Sequence, residues 1–158
     1  MQQDNKTQNQ LKTGTIHEYF DRNILTLTMS NPTKKNAINY EMYAALSQAL
    51  DQAATNQDIH VVVLTGENSA FTSGNDVNAF EKRDTTTSEP PSSIVFLKSL
   101  ATFPKPIIAK VNGVAIGIGS TMLLHCDLVY ASQNSIFQFP FVNLGLVPEA
   151  GSSYILPR

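Results

Sequence analysis

The sequence predicts an α/β or α+β fold, and three runs of residues carry that prediction. Ile24, Thr26 and Thr28 alternate with Leu25, Leu27 and Met29, the two-residue period of a strand. From Tyr40 to Ala54, the apolar residues Met42, Ala45, Leu46, Ala49, Leu50 and Ala53 recur at three- and four-residue steps, the period of a helix with one buried face. His60–Leu64 is a β-branched run closed by Thr65-Gly66, a further strand. Strand, helix and strand in that order belong to a fold that layers helices on a sheet.

Composition narrows the classes of function. The 158 residues are 42% hydrophobic and 15% charged with a net charge of −2, the balance of a globular chain and not of a disordered one. Eleven basic residues face thirteen acidic ones, without a basic cluster of five, which argues against charge-driven nucleic-acid binding. The single cysteine, Cys126, excludes a disulfide framework and reads as a small buried apolar residue. The polar amino terminus has no signal-peptide core. The longest uncharged apolar stretch, from Val111 to Cys126, holds Asn112, glycines and hydroxyls and is shorter than the ~18–20 residues of a spanning helix. No nucleic-acid or membrane partner is expected, and the expected address is cytoplasmic.

The remaining elements follow in chain order. Residues 1–13 read as a disordered leader and 14–158 as the core domain. Thr15–Phe20 is a strand joined to Ile24–Met29 by a turn at Asp21-Arg22-Asn23, and Ser30-Asn31-Pro32 breaks the second strand. Asn39 caps the first helix, with Glu41 in its first turn where a carboxylate suits the dipole. Asp76 is placed to cap a short helix from Val77 to Glu81, and Arg83–Ser93 is an exposed loop. A helix is expected over Ser93–Thr102, stopped by Pro104 and Pro106. Then come a strand at Ile107–Val111, an apolar helix at Gly119–Cys126, a strand at Asp127–Ala131 and an extended run at Gln138–Phe141. Pro148 and Glu149 open a last helix that stops, unpacked, at Arg158, as in a piece of a longer protein.

Chemistry is concentrated in two glycine turns and one acid. Phe71-Thr72-Ser73-Gly74-Asn75-Asp76 and Gly113-Val114-Ala115-Ile116-Gly117-Ile118-Gly119-Ser120 let a ligand approach main-chain N–H groups, and two such groups converging on one point form an oxyanion site. Neither turn is a phosphate loop or a dinucleotide fingerprint. Read alone, each turn is either structural or catalytic. Glu149 lies in the apolar segment Leu144-Gly145-Leu146-Val147-Pro148-Glu149-Ala150-Gly151. It is either a desolvated base or a first-turn helix residue facing water, and the residues by themselves leave both open. His17, His60 and His125 stand apart from other ligand types, so no metal is expected.

Several blocks, in order, resemble the crotonase (enoyl-CoA hydratase/isomerase) superfamily from about Thr15 to Arg158: Asn31-Pro32 with Asn36-Ala37-Ile38-Asn39; Val61-Val62-Val63-Leu64-Thr65-Gly66; Phe71-Thr72-Ser73-Gly74-Asn75-Asp76; Lys105-Pro106-Ile107-Ile108-Ala109 with Val111-Asn112-Gly113; and Cys126-Asp127. The resemblance implies a spiral of ββα units with two nearly perpendicular sheets. It also implies trimers or dimers of trimers, an acyl-CoA substrate with no separate cofactor, and an oxyanion hole made by the N–H groups of Asn75 and Ile118. Carboxy-terminal helices that complete the acyl pocket are expected beyond Arg158, so the 158 residues alone are expected to be poorly active or inactive, and a peroxisomal signal there stays open. Ser73, Gly74, Asp76, Gly117, Gly119 and Phe141 are the expected substrate contacts, with Lys34 and Lys35 as candidates for the phosphates of coenzyme A.

The departures from that pattern are specific. Where hydratases of the superfamily carry two glutamates, this chain has Thr121 and Phe141. The stretch from Phe137 to Tyr154 resembles the peroxisomal-type Δ3,Δ2-enoyl-CoA isomerases instead, whose single catalytic glutamate falls at Glu149. The resemblance therefore implies double-bond migration by one carboxylate, with Ile116, Phe139, Phe141 and Val147 keeping water out. Thioester hydrolysis, hydration and non-catalytic acyl-CoA binding are the alternatives.

Overall fold

The computed structural model describes residues 14–77 and 89–158. It opens with an antiparallel hairpin of β1 (Thr15–Asp21) and β2 (Ile24–Ser30), in which Asp21 pairs with Ile24. The turn is therefore two residues long, not three. Arg22 and Asn23 both take positive φ, 46° and 66°, the mirror-image turn that matches the twist of paired strands. Asn31 and Asn36 then brace the turn at Pro32–Lys34 before α1 (Tyr40–Thr55). Asn39 caps α1 as the sequence predicts, its Oδ1 accepting from the N–H of Met42 at 2.8 Å.

Three successive windings follow, each of two strands and a helix. The first is β3 (Val61–Gly66), β4 (Ala70–Thr72) and α2 (Ser92–Ala101). The second is β5 (Ile107–Val111), β6 (Val114–Ile116) and α3 (Ile118–Thr121), prolonged by a 3-10 turn at Met122–His125. The third is β7 (Leu128–Ala131), β8 (Ile136–Gln138) and α4 (Ser152–Ile155). The first strand of each winding joins one sheet, β1-β2-β3-β5-β7, and the second joins another, β4-β6-β8, all parallel after the hairpin. Each winding thus extends both sheets by one strand, the spiral of ββα units that the resemblance implies.

The core lies between the large sheet and the helices. Met42, Leu46, Leu50 and Ala53 of α1 are buried with Leu27, Val62 and Leu64, while Tyr43 meets Phe96 of α2 at 5.6 Å between ring centres. Fully burying a side chain of this size contributes about 1.5–3 kcal/mol, so this helix face anchors the domain. The carboxyl end of α1 is closed by a charge. The ammonium of Lys105 donates to the carbonyls of Ala53, Asn56 and Ile59 at 2.6–2.8 Å, where the helix dipole is negative.

The small sheet is the principal departure from the sequence reading. β4 and β6 are three residues each; β6 lies within what reads as one glycine turn, and β4 runs into the other. The chain passes from β5 to β6 at Gly113, φ +149°, where a Cβ would stand 2.0 Å from the carbonyl oxygen of Ser69. Other boundaries shift. β3 starts at Val61 and runs to Gly66, and the extended run near Gln138 is β8 at Ile136–Gln138, with Phe141 already turning. The apolar helix at Gly119–Cys126 is one turn of α-helix plus a 3-10 turn. The last helix starts at Ser152, because Ala150 and Gly151 both take left-handed φ, so Glu149 lies in a loop. Cys126 is half-buried, its Sγ against the carbonyl of Met122 at 3.6 Å, and burial raises its thiol pKa to about 12. The expected leader, most of the helix Val77–Glu81 and most of the loop Arg83–Ser93 lie outside the described residues. No described helix is long and apolar enough to cross a membrane.

Replacing Lys105 by methionine keeps its aliphatic stem but strands three carbonyls. K105M is expected to lower stability by about 2–3 kcal/mol, read as a lower midpoint in urea unfolding at unchanged slope.

Candidate active site

Strands β4, β6 and β8 run parallel, so their carboxyl ends share one edge, the place where open α/β sheets bind ligands. The segments leaving those ends line one cleft of about 350 Å3. Ser73, Gly74 and Asn75 come from the first, Ile116, Gly117 and Ile118 from the second, and Pro140, Phe141, Leu144, Leu146, Val147 and Glu149 from the third, with Val77 and Ser93 at its margin. The sequence-predicted glycine turns and the lone acid, up to 76 residues apart, thus share one cavity.

The direction of two N–H groups follows from which carbonyls are engaged. A trans peptide sets its C=O and N–H on opposite sides. The carbonyl of Gly74 accepts from the N–H of Ile38 at 2.8 Å, and that of Ile38 accepts from Asp76 at 2.9 Å. The N–H of Asn75 therefore faces away from Ile38. The carbonyl of Gly117 accepts from Ser120 and Thr121 at 2.9 and 3.0 Å, so the N–H of Ile118 faces out of the first turn of α3. Neither N–H donates to an acceptor among the described residues. Gly74, φ +96°, makes the close passage possible, since a Cβ there would lie 2.8 Å from the carbonyl oxygen of Ile116.

Glu149 is half-buried and the only carboxylate among the described cleft residues. Loss of hydration pushes its pKa above the usual glutamate value, while the hydroxyl of Thr121, donating to Oε1 across a long 3.4 Å, pulls partly the other way. The carbonyl of Glu149 accepts from the N–H of Ser152 at 2.9 Å, closing the turn through Ala150 and Gly151. Nε2 of His125 lies 2.8 Å from the carbonyl oxygen of Ala150. On the opposite side, the buried hydroxyl of Tyr43 donates to Oδ1 of Asn75. Burial and then the charge of Glu149 raise the pKa of that phenol, keeping it a donor.

Other expected contacts are placed differently. Lys34 is paired with Asp76 at 2.6 Å, and neither residue lines the cleft. Lys35 is exposed, in a left-handed turn, outside the cleft lining. Ser73 lines the cleft, but its hydroxyl donates to the carbonyl of Lys34 at 2.7 Å and its N–H to that of Lys35 at 2.9 Å. Gly119 faces Thr72, whose Cγ2 would meet a Cβ at 2.6 Å, so it serves packing between α3 and β4. Phe139 is 38% exposed and outside the cleft lining, whereas Ile116, Phe141 and Val147 line it. Sequence reasoning passed over Tyr43 and His125. Tyr43 is not among the residues that the helical period singles out, and His125 reads as isolated, because their partners lie 32 and 25 positions away.

The family profile for enoyl-CoA hydratase/isomerase matches residues 19–158. The chain belongs to the enoyl-CoA hydratase/isomerase family. It is 38% identical over 140 residues to enoyl-CoA delta isomerase 3, peroxisomal, of Mus musculus, covering 85% of this chain and 44% of that protein. It is 36% identical over 135 residues to the 2,3-dehydroadipyl-CoA hydratase of Escherichia coli, covering 85% and 53%. Of solved structures, the enoyl-CoA hydratase/isomerase of Pseudoalteromonas atlantica superposes with a TM-score of 0.86 at 45% identity, over 90% of this chain and 57% of that one. The chain spans about half the length of the curated relatives it matches. Those relatives bear both isomerase and hydratase names, so membership alone does not choose the reaction.

The raised pKa of Glu149 has a consequence for stability. Below its ordinary value of 4.5 the carboxyl is protonated in both folded and unfolded chains. Between that value and the raised one the folded chain binds more protons, so this group's contribution to stability falls as pH rises. E149Q is therefore expected to gain stability over the natural chain as pH is raised from 4 to 7, measured by urea unfolding at each pH. T121V removes the opposing hydrogen bond and is expected to widen that window upward.

Proposed function

We propose that this chain supplies the catalytic machinery of a Δ3,Δ2-enoyl-CoA isomerase. One observation carries the reading. The cleft presents a single described carboxylate, Glu149, and the chain has Thr121 and Phe141 where the resemblance puts the two glutamates of a hydratase. Moving a double bond needs one group that takes a proton and returns it, whereas adding water needs further groups to hold and split the water.

The chemistry balances on that one acid. Glu149 removes a proton from the α-carbon of a 3-enoyl-CoA, and the C–H electron pair moves into conjugation with the thioester. The thioester oxygen gains negative charge and is held by the N–H groups of Asn75 and Ile118, which have no described protein acceptor. Losing one donor of this kind costs roughly 2.7–4 kcal/mol of transition-state stabilisation. Protonated Glu149 then returns its proton to the γ-carbon, leaving the 2-enoyl-CoA. The raised pKa suits both halves, since a carboxyl nearer neutrality is a stronger base and remains a competent acid. Ile116 and Phe141, with the exposed rim of Val147, make the apolar surface along which the acyl chain lies.

Incubating the complete protein, with the helices expected beyond Arg158, with 3-hexenoyl-CoA is expected to produce the conjugated 2-hexenoyl thioester, followed by its ultraviolet absorbance. E149Q should lower kcat by about 10²- to 10⁴-fold. With 2-hexenoyl-CoA as substrate, no 3-hydroxyacyl product should form. Rapid hydration, or turnover by E149Q at the natural rate, would overturn the assignment.

A further inference from the structure

The carboxylate at the centre of this reading stands beside a left-handed turn. Ala150, which has a Cβ, adopts φ +52°. A left-handed non-glycine residue persists only where its surroundings hold it. Three described contacts bear on Glu149 and Ala150 themselves. The carbonyl of Glu149 accepts from Ser152, Thr121 touches Oε1, and His125 meets the carbonyl of Ala150.

Thr121 closes α3 and His125 closes the 3-10 turn that prolongs it. One meets the side chain of Glu149 and the other the main chain beside it. That stretch begins at Ile118, which carries one of the two N–H groups that donate to no acceptor among the described residues. A carbonyl oxygen only accepts, so the 2.8 Å contact requires the proton of His125 on Nε2.

We propose that His125 is a positioning residue for Glu149: by donating from Nε2 to the Ala150 carbonyl, it holds the left-handed turn that presents the carboxylate to the cleft in register with the Ile118 N–H. The kinetic part of this inference rests on the isomerase reading, but its structural part does not.

The test uses the complete protein and two variants. H125L removes the donor, and H125Q supplies an amide N–H at similar reach. In the natural protein, ¹⁵N-resolved NMR at pH 8 should show the imidazole protonated at Nε2 and bare at Nδ1, whatever the reaction. H125L should lower kcat for 3-hexenoyl-CoA about tenfold with KM within twofold, and H125Q should recover most of the loss. Exchange of the α-hydrogens of hexanoyl-CoA in D2O repeats the comparison. It needs proton removal and return at one carbon but no migration, so it separates the two ideas. If the natural protein exchanges but does not isomerise, the isomerase reading falls, and the same tenfold loss in H125L still supports the role of His125. An Nδ1–H tautomer, equal loss in H125L and H125Q, a loss confined to KM, or natural rates in H125L would each overturn it. Absence of both activities from the natural protein would overturn it too.

Discussion

A peptide bond that engages its carbonyl on one side must present its N–H on the other, and the site depends on that constraint at two places. The Gly74 carbonyl is taken by Ile38, which belongs to the chain before α1, and the Gly117 carbonyl is taken by the first turn of α3. The two residues that follow, Asn75 and Ile118, are left with N–H groups directed away from those acceptors. Side-chain identity does not enter, so one position tolerates a polar residue and the other a branched apolar one. Around the first of these peptides lies a buried polar frame. Asn36 donates to the carbonyls of Glu67 and Ala70, Thr72 donates to the carbonyl of Asn36, and the N–H of Gly74 donates to Thr72. Breaking such a frame costs more than a single exposed hydrogen bond is worth, because each partner left behind is buried.

The winding of the chain brings these parts together without a dedicated scaffold. Because every winding adds one strand to each sheet in parallel, the exits of β4, β6 and β8 fall on a common edge. The first exit carries Asn75, the second Ile118, the third Glu149. The groups differ in how firmly they are held. The first two are tied by backbone hydrogen bonds to neighbouring segments, whereas the acid stands on an exposed stretch gripped by Thr121, His125 and Ser152. Partial burial with few compensating donors is also why its pKa rises.

Much of this was legible in the residues, and the failures have physical causes. α1 shows itself because fifteen residues of consistent period and a good cap at Asn39 are a local signal, little altered by tertiary context. β2, β3 and β5 are legible for the same reason. β4 and β6 are not, since three residues hold no period and their identity comes from pairing with each other and with β8, across distant parts of the chain. The glycine turns and Glu149 are conspicuous as chemistry in otherwise apolar runs, but their convergence on one cleft is a property of the windings. The end of the chain was misread because Pro148 is a good helix opener, and nothing in Ala150 announces a left-handed backbone. Tyr43 and His125 acquire their partners only when distant segments meet.

The order of the windings has a consequence for biosynthesis. A ribosome releases β1 through α1 first, then the three strand pairs in sequence, and each parallel pairing needs only material already made. The nascent polypeptide can therefore lay down its apolar interior before the acid leaves the exit tunnel. During translation the frame precedes the cleft, and no half-made intermediate holds the two amides and the acid together.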